Sequence, residues 1–168
     1  AMQERISPVL FLNKVDRCVF ELEVDAETMY RSFVNTIESV NVVVSTYAVD
    51  EVLTDLNPVL GNVAFGSGKD CWAFTLDQFA ERYSSKLNLA KDKLKERLWG
   101  DNFYDSETKQ WKTISQEDEI KPTMKRGFSE FVMTPIIEIA QAALQSDKAK
   151  IQTIAKKLNV ELTPQELE

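Results

Sequence analysis

The stretch PVLFLNKVDR, residues 8–17, places a continuous apolar run directly before a polar tetrad. The run at residues 9–12 does not alternate with polar residues, which is typical of a strand buried on both faces of a parallel sheet. Asn13, Lys14 and Asp16 then follow the strand at its carboxyl end. Ligands of open α/β sheets bind at this edge, because the loops diverge there around a crevice. The stretch therefore predicts a parallel α/β unit with a ligand site at the tetrad.

A helix is predicted to connect this strand to a second one of the same kind. Asp25 is placed to cap a helix over residues 27–41, where apolar residues recur every three or four positions. After a loop, the segment NVAFGSG at residues 62–68 predicts a short strand. Residues 6–68 thus predict strand, helix, loop and strand, and a second loop at residues 66–68 leaves the sheet at the same edge as the tetrad.

After residue 70 the pattern changes to helices and a hairpin. Thr75 and Gln78 have the spacing of a capping box and predict the start of a helix. A second, basic helix is predicted over residues 91–100, ending at a glycine. Aromatic residues on both sides of a polar turn predict a hairpin over residues 102–112.

A long helix and a short one are predicted in the last third of the chain. Pro135 is expected to kink or break the long helix, whose apolar face consists of Phe128, Phe131, Val132, Ile136, Ile139, Ala140, Ala143 and Leu144. The short helix covers residues 146–159. Thr163, Pro164 and Glu166 form a helix start signal that no helix follows. This signal predicts that the chain is a segment of a longer protein.

The composition excludes several classes of function. The chain has 168 residues, of which 20 are basic and 27 acidic, for a net charge of −7, and it has no histidine. The charge argues against DNA binding, and the missing histidine excludes Ser-His-Asp catalysis. Cys18 and Cys71 lack the spacing of a zinc site, and no apolar run reaches the length of a membrane span. We expect a cytoplasmic protein with reduced thiols, no catalytic residue and no metal ligand.

The residue types of the tetrad fit recognition of guanine. The Asp16 carboxylate can accept two parallel hydrogen bonds from the ring N–H and the exocyclic amino group of guanine, a pair that adenine does not offer. Asn13 can join neighbouring loops or contact the base, and the Lys14 stem can cover the ring face. Main-chain N–H groups at Ser67 and Gly68 can donate to the guanine carbonyl oxygen, and Gly68 permits a close approach.

These residues resemble a known family. Asn13-Lys14-Val15-Asp16 matches the N-K-x-D base-recognition motif of P-loop GTPases, and FGSGKDCWAFTLDQFA followed by RLWGD resembles the eukaryotic elongation factor two family of ribosomal translocases. The resemblance implies an α/β fold, with the C-terminal part of a Ras-like guanine-nucleotide domain at residues 1–70 and an α+β insert domain, called G-prime, at residues 71–168. Ser67-Gly68-Lys69 would take the place of the S-A-K motif. Spliceosomal and ribosome-assembly relatives share this layout and stay as alternatives.

The resemblance also implies an activity and partners. Such proteins couple GTP hydrolysis, with magnesium, to translocation on the ribosome, and their insert domains contact acidic ribosomal stalk proteins. Lys91, Lys93, Lys95 and Arg97 are the expected partner-binding residues, the other reading being a solvated helix face. The sequence contains no G-x-x-x-x-G-K-[ST] phosphate loop. We therefore do not expect this chain to hydrolyse GTP alone.

Overall fold

The computed structural model describes residues 7–47, 55–115, 120–157 and 160–163, which have a mixed α/β fold. Contacts between Cα atoms divide the chain into two compact units, Ala1–Gln78 and Phe79–Glu168. The predicted helix start at Pro164 and Glu166, and part of the predicted loop before the second strand, lie outside the described residues. Among the helices that the structure describes, none has the length and apolarity needed to cross a membrane.

The first unit contains a three-stranded sheet in the order β1-β2-β3. Strands β1 (Leu10–Leu12) and β2 (Val63–Ser67) are parallel, with Leu12 opposite Phe65, which confirms the predicted pair of parallel strands. Strand β3 (Trp72–Phe74), which was not predicted, pairs with β2 in the antiparallel direction.

The expectation that the first strand is buried on both faces is wrong. Val9 lies before β1 and is 81% exposed, and Phe11 is 46% exposed, whereas Leu12 is buried. Side chains alternate between the two faces of a strand, so Phe11 and Leu12 point to opposite sides. Only the side of Leu12 and Phe65 belongs to the core of this unit.

Two helices lie between β1 and β2. The short helix α1 (Val15–Phe20) begins inside the tetrad, and the long helix α2 (Ala26–Tyr47) follows it. The predicted cap of α2 is confirmed, because a carboxylate oxygen of Asp25 accepts hydrogen bonds from the N–H groups of Glu27 and Thr28 at 3.0 and 3.1 Å. The buried face of α2 packs on the sheet, with the Phe33 and Phe65 ring centroids 5.3 Å apart.

Helix α2 is longer than the prediction of residues 27–41, because it continues to Tyr47. The β-branched run at residues 42–44 lowers the helix propensity there. Asn41 provides a tertiary anchor, since its side chain accepts from the Leu56 N–H and donates to the Leu56 carbonyl oxygen, both at 2.9 Å. This contact holds the C-terminal half of α2 against the chain that leads into β2.

The second unit begins within helix α3 (Leu76–Leu87), whose start is confirmed by a hydrogen bond from the Thr75 N–H to the Gln78 side chain at 3.1 Å. Helix α4 (Lys91–Arg97) begins where predicted but ends three residues earlier. The hairpin of β4 (Asn102–Asp105) and β5 (Gln110–Thr113) confirms the predicted hairpin. Strand β6 (Met124–Arg126) was not predicted, and it adds to β4 to give the order β5-β4-β6.

The predicted long helix is divided differently from expectation. A π-helix (Ser129–Met133) comes first and leads directly into α5 (Thr134–Leu144), with Pro135 in the first turn of α5, where proline is tolerated. Helix α6 (Lys148–Lys157) then confirms the predicted short helix. Phe128 and Val132 are fully buried as expected, but Leu144 is 68% exposed because it lies in the last turn of α5.

Candidate functional site

The tetrad and the predicted second loop lie side by side at one edge of the first unit's sheet. Because β1 and β2 are parallel and in register, residues 13–16 and the chain after Ser67 leave the sheet at the same edge. Gly66 and Ser67 belong to β2 itself, so the predicted loop at residues 66–68 is shifted. The segment that leaves the sheet is the β2–β3 turn, residues 68–71.

Asn13 joins the two loops through its side chain. Its Oδ1 atom accepts a hydrogen bond from the Gly68 N–H at 2.9 Å and another from the Lys14 N–H at 2.8 Å. Lys14 has a left-handed backbone, with φ 66° and ψ 30°, which turns the chain from β1 into α1. Within the described residues the Nδ2 group of Asn13 donates to no acceptor, so it is available to a ligand.

Asp16 is a buried carboxylate in the first turn of α1. Asp16 is 5% exposed. The other buried residues of α1 are Val15 and Val19, which are 1% and 7% exposed. Its Oδ1 atom is buried and accepts no hydrogen bond from the residues that the structure describes. Buried polar atoms are nearly always paired, because an unpaired one costs about 1–3 kcal/mol. The Oδ1 atom of Asp16 therefore keeps an acceptor position for a donor other than the described residues.

Arg17, the next residue along α1, pairs with Glu21, with Nε 2.7 Å from the carboxylate oxygen. This bond is the main cause that raises the pKa of Arg17, and the negative charge of Asp16 contributes to the same shift. Burial, and after it the negative charge of Asp16, raises the pKa of the Cys18 thiol. The carboxylate thus faces its surroundings as an acceptor of hydrogen bonds.

Ser67, Gly68 and Lys69 differ in exposure and in their hydrogen bonds. Ser67 is 1% exposed, and its hydroxyl accepts from the Asp70 N–H at 3.0 Å, which closes the β2–β3 turn. Gly68 and Lys69 are exposed. Cys71 ends the turn with a left-handed backbone of φ 56° and an exposed thiol. Lys69 is therefore exposed at the tip of a turn. Hydrogen bonds from the Gly68 N–H to Asn13 and from the Asp70 N–H to Ser67 fix the turn on either side of it.

Gly66 and Asp70 shape this turn, and neither was predicted as a site residue. A Cβ atom on Gly66 would lie 2.2 Å from the Trp72 carbonyl oxygen, so only glycine fits there. A Cβ atom on Gly68 would meet Asn13 at an ordinary 3.5 Å. The spacing of Ser67 and Asp70 is that of a serine turn, which is the signal that points to Asp70.

The basic cluster (Lys91, Lys93, Lys95 and Arg97) occupies α4 in the second unit. Leu94 and Leu98 are fully buried on the inner side of this segment. Lys93 is exposed, and Lys91 lies 3.4 Å from the Glu81 carboxylate. Lys95 and Arg97 are half-buried. The basic residues are thus spread around the helix, and Glu81 partly compensates their positive charge.

The aromatic residues of the second unit pack mainly on one another. Phe131 contacts Tyr83, Tyr104 and Trp111, with ring centroids 5.1–5.4 Å apart. Burial is the main cause that raises the pKa of both tyrosine hydroxyls. These rings therefore have a structural role in the second unit.

No protein-family model matches this chain. Among the described residues, no three His, Cys, Asp or Glu side chains are grouped as a metal site requires. The candidate site consequently rests on the geometry around Asn13, Asp16 and the β2–β3 turn.

Proposed function

We propose that residues 13–16 and 67–69 bind the base of a guanine nucleotide. The observation that carries the proposal is the buried Oδ1 atom of Asp16, which has no hydrogen-bond donor among the described residues. Guanine presents two parallel N–H donors on one edge, and an ionised carboxylate is the group that accepts both. Adenine has no such pair, so the same carboxylate discriminates between the two purines.

Asn13 and Lys14 support this role in different ways. Asn13 uses Oδ1 to hold the two loops together and keeps its Nδ2 donors for a ring nitrogen of the base. Lys14 is exposed, and its aliphatic stem is long enough to cover one face of the purine. Asp16 would thus contact the N–H edge of the base, Asn13 a ring nitrogen and Lys14 one face of the ring.

We further propose that the chain is part of a cytoplasmic translational GTPase of the elongation factor two type. Residues 1–70 would complete a Ras-like P-loop domain, and residues 71–168 would be the α+β insert domain. GTP hydrolysis on the ribosome would then use magnesium and a phosphate loop that this sequence does not contain. Support comes from the N-K-x-D motif at the end of a parallel strand, and a spliceosomal or ribosome-assembly GTPase has the same support.

A nucleotide titration of the ¹⁵N-labelled chain tests the base site. Millimolar GMP should shift the amide resonances of residues 13–16 and 67–69, and AMP should not. Asp16→Ala should abolish the GMP shifts, whereas Glu23→Gln, which removes an exposed carboxylate nearby in sequence, should leave them unchanged. Equal shifts with GMP and AMP would contradict the proposal.

GTP itself provides a second measurement. Contacts to phosphates and magnesium supply much of the affinity of nucleotide sites. Since the sequence has no phosphate loop, we expect the isolated chain to bind a fluorescent GTP analogue more weakly than micromolar and to release no phosphate. Micromolar or tighter binding would mean that another part of this chain holds the phosphates.

A second candidate function is docking to acidic ribosomal stalk proteins through the basic cluster. The observation that favours it is the arrangement of α4, which buries Leu94 and Leu98 and leaves Lys93 exposed. Exposed cations in a chain of net charge −7 provide a local attraction for an acidic partner.

A further inference from the structure

The β2–β3 turn ends in an exposed thiol, that of Cys71. We propose that Cys71 is a modification site at which a small disulfide of the glutathione class forms a mixed disulfide, and that this modification and a guanine nucleotide exclude each other. The inference rests on the proposed function. It adds to the base site a residue that belongs neither to the tetrad nor to residues 67–69.

The thiol lies on the part of the turn that contacts the tetrad. The Sγ atom of Cys71 is 3.9 Å from the carbonyl oxygen of Gly68. The N–H of the same glycine donates to the Asn13 side chain at 2.9 Å. These two contacts connect the sulfur to the loop that carries Asp16, so a group attached to the sulfur lies beside that loop.

A ligand position beside this turn is indicated independently by Asp16. The residue is 5% exposed, and its buried Oδ1 atom accepts no hydrogen bond from the described residues. Since buried polar atoms are nearly always paired, this oxygen keeps a place for a donor that the described residues do not supply. Cys71 is thus an exposed nucleophile next to a ligand position.

The two cysteines of the chain differ in their access to a disulfide. Cys18, in α1, is half-buried, and burial is the main cause that raises the pKa of its thiol. A raised pKa lowers the fraction of thiolate, which is the form that attacks a disulfide. Cys71 is exposed, so it is the cysteine that reacts first.

The reaction is a thiol–disulfide exchange. The Cys71 thiol loses its proton to solvent, and the thiolate attacks one sulfur of the disulfide. A new sulfur–sulfur bond forms, the old one breaks, and the second glutathione leaves as a thiolate that takes up a proton. Cys71 is oxidised, and the released glutathione is reduced. The attached tripeptide reaches about 10 Å from the sulfur, which is farther than either contact between the sulfur and Asn13.

Thiol labelling of the reduced chain tests the exclusion. In Cys18→Ala, dithiobis(nitrobenzoate) reacts with Cys71 alone. GMP at about ten times its dissociation constant should slow this reaction about tenfold, because only chains without nucleotide react, and AMP should not slow it. Equal Cys71 rates with and without GMP would overturn the inference.

A matched control moves the thiol to the second unit. A chain with Cys18→Ala, Cys71→Ala and Lys93→Cys carries its single thiol at an exposed position of α4. GMP should leave the labelling rate of this chain unchanged. A control that GMP slows as strongly as Cys71 would also overturn the inference, since the protection would then not be local.

The mixed disulfide provides the reverse measurement. GMP should no longer shift the amide resonances of residues 13–16 in the glutathione adduct of Cys18→Ala, and dithiothreitol should restore the shifts. An adduct that responds to GMP as the reduced chain does would overturn the inference and leave the base site standing. The absence of any GMP shift in the reduced, unmodified chain would overturn both. The labelling rates are measured on the folded, reduced chain, so they decide the question even if the adduct unfolds.

Discussion

The side-chain oxygen of Asn13 accepts a hydrogen bond from the main-chain N–H of Gly68 at 2.9 Å, across 55 positions of the sequence. The same oxygen accepts from the Lys14 N–H at 2.8 Å. The loop after β1 and the turn after β2 are therefore joined without a ligand. A base entering this site would find the two halves already in place, which lowers the entropy lost on binding.

Removal of the Asn13 side chain should weaken this connection. We expect Asn13→Ala to lower the free energy of unfolding by about 1 kcal/mol, the usual contribution of a hydrogen bond. Asn13→Asp keeps an oxygen acceptor and should retain most of the stability. Urea denaturation measures the difference, and hydrogen exchange at the Gly68 amide reports the bond itself. Unchanged exchange at Gly68 in Asn13→Ala would show that the bond does not form in solution.

Asp16→Asn should change the base that the site recognises. The substituted amide places a donor opposite the N–H groups of guanine and suits the carbonyl of xanthine. GMP should bind about tenfold to a few hundredfold more weakly, and XMP should bind better than before. Unchanged GMP and XMP affinities would exclude Asp16 as the base reader.

Two glycines of the site should respond differently to alanine. Gly66→Ala would push a methyl group to 2.2 Å from the Trp72 carbonyl oxygen, and we expect a loss of about 2–3 kcal/mol of stability, as for an overpacked core. Gly68→Ala meets its neighbours at 3.5 Å and should change stability by less than about 1 kcal/mol. Thermal unfolding of both variants gives the comparison. A Gly66→Ala protein as stable as Gly68→Ala would contradict the close approach of β2 and β3.

The Asp25 cap of α2 should make the free energy of unfolding depend on pH. The Thr28 hydroxyl and N–H groups hold the pKa of Asp25 below its usual value. Because this pKa is lowered, the ionised Asp25 contributes fully to the free energy of unfolding above the usual pKa of about 3.9. The contribution is lost as the pH falls through the lower pKa of the folded state. Asp25→Ala should cost about 1 kcal/mol at pH 7 and less at lower pH.

Asp25→Ser is the matched control for the acid dependence, because it keeps a capping oxygen without a titrating group. Urea midpoints measured from pH 7 to pH 2 should converge for the unmodified chain and Asp25→Ala, while those of Asp25→Ser and Asp25→Ala keep their separation. A constant difference between the unmodified chain and Asp25→Ala would show that the charge of Asp25 adds nothing to the cap.

The basic cluster should affect the rate of association with an acidic stalk peptide. Reversing Lys91 and Lys95 to glutamate should slow association at low salt and have little effect at high salt, since exposed charges are screened beyond a Debye length of about 8 Å at physiological ionic strength. Reversing Lys148 and Lys150, which are exposed on α6, changes the charge equally and should have less effect. Equal effects of the two pairs would reduce the cluster to a solvated helix face.

Local sequence patterns predicted the parallel strand pair and the capped helix starts. Asp25 and Gln78 form the hydrogen bonds that their spacing indicates, because a cap depends on residues within one turn. The end of α2 was missed because it depends on Asn41 and Leu56, which are far apart in sequence. Strands β3 and β6 were missed because each is defined by its pairing with β2 or β4, which is a tertiary contact.

The position of residues 13–16 at the end of a parallel strand was predicted, but most of their connections were not. The motif at residues 13–16 and the strand before it placed Asp16 at the correct sheet edge. The sequence left open whether Asn13 would join the two loops or contact the base, and it did not show that Gly66 would be the sterically required glycine. Both depend on how β1, β2 and β3 meet, which is a tertiary property.

Because of the π-helix before α5, the chain can lose one residue there and keep its helical phase. A π-turn holds one residue more than an α-turn, so the flanking segments keep their phase if that residue is lost. Shortening the chain by one residue within Ser129–Met133 would turn this segment into ordinary α-helix without rotating α5. The same deletion inside α2 would rotate everything after it by about 100° and expose its buried face. Natural length variation among related chains should therefore collect at the π-turn and avoid α2.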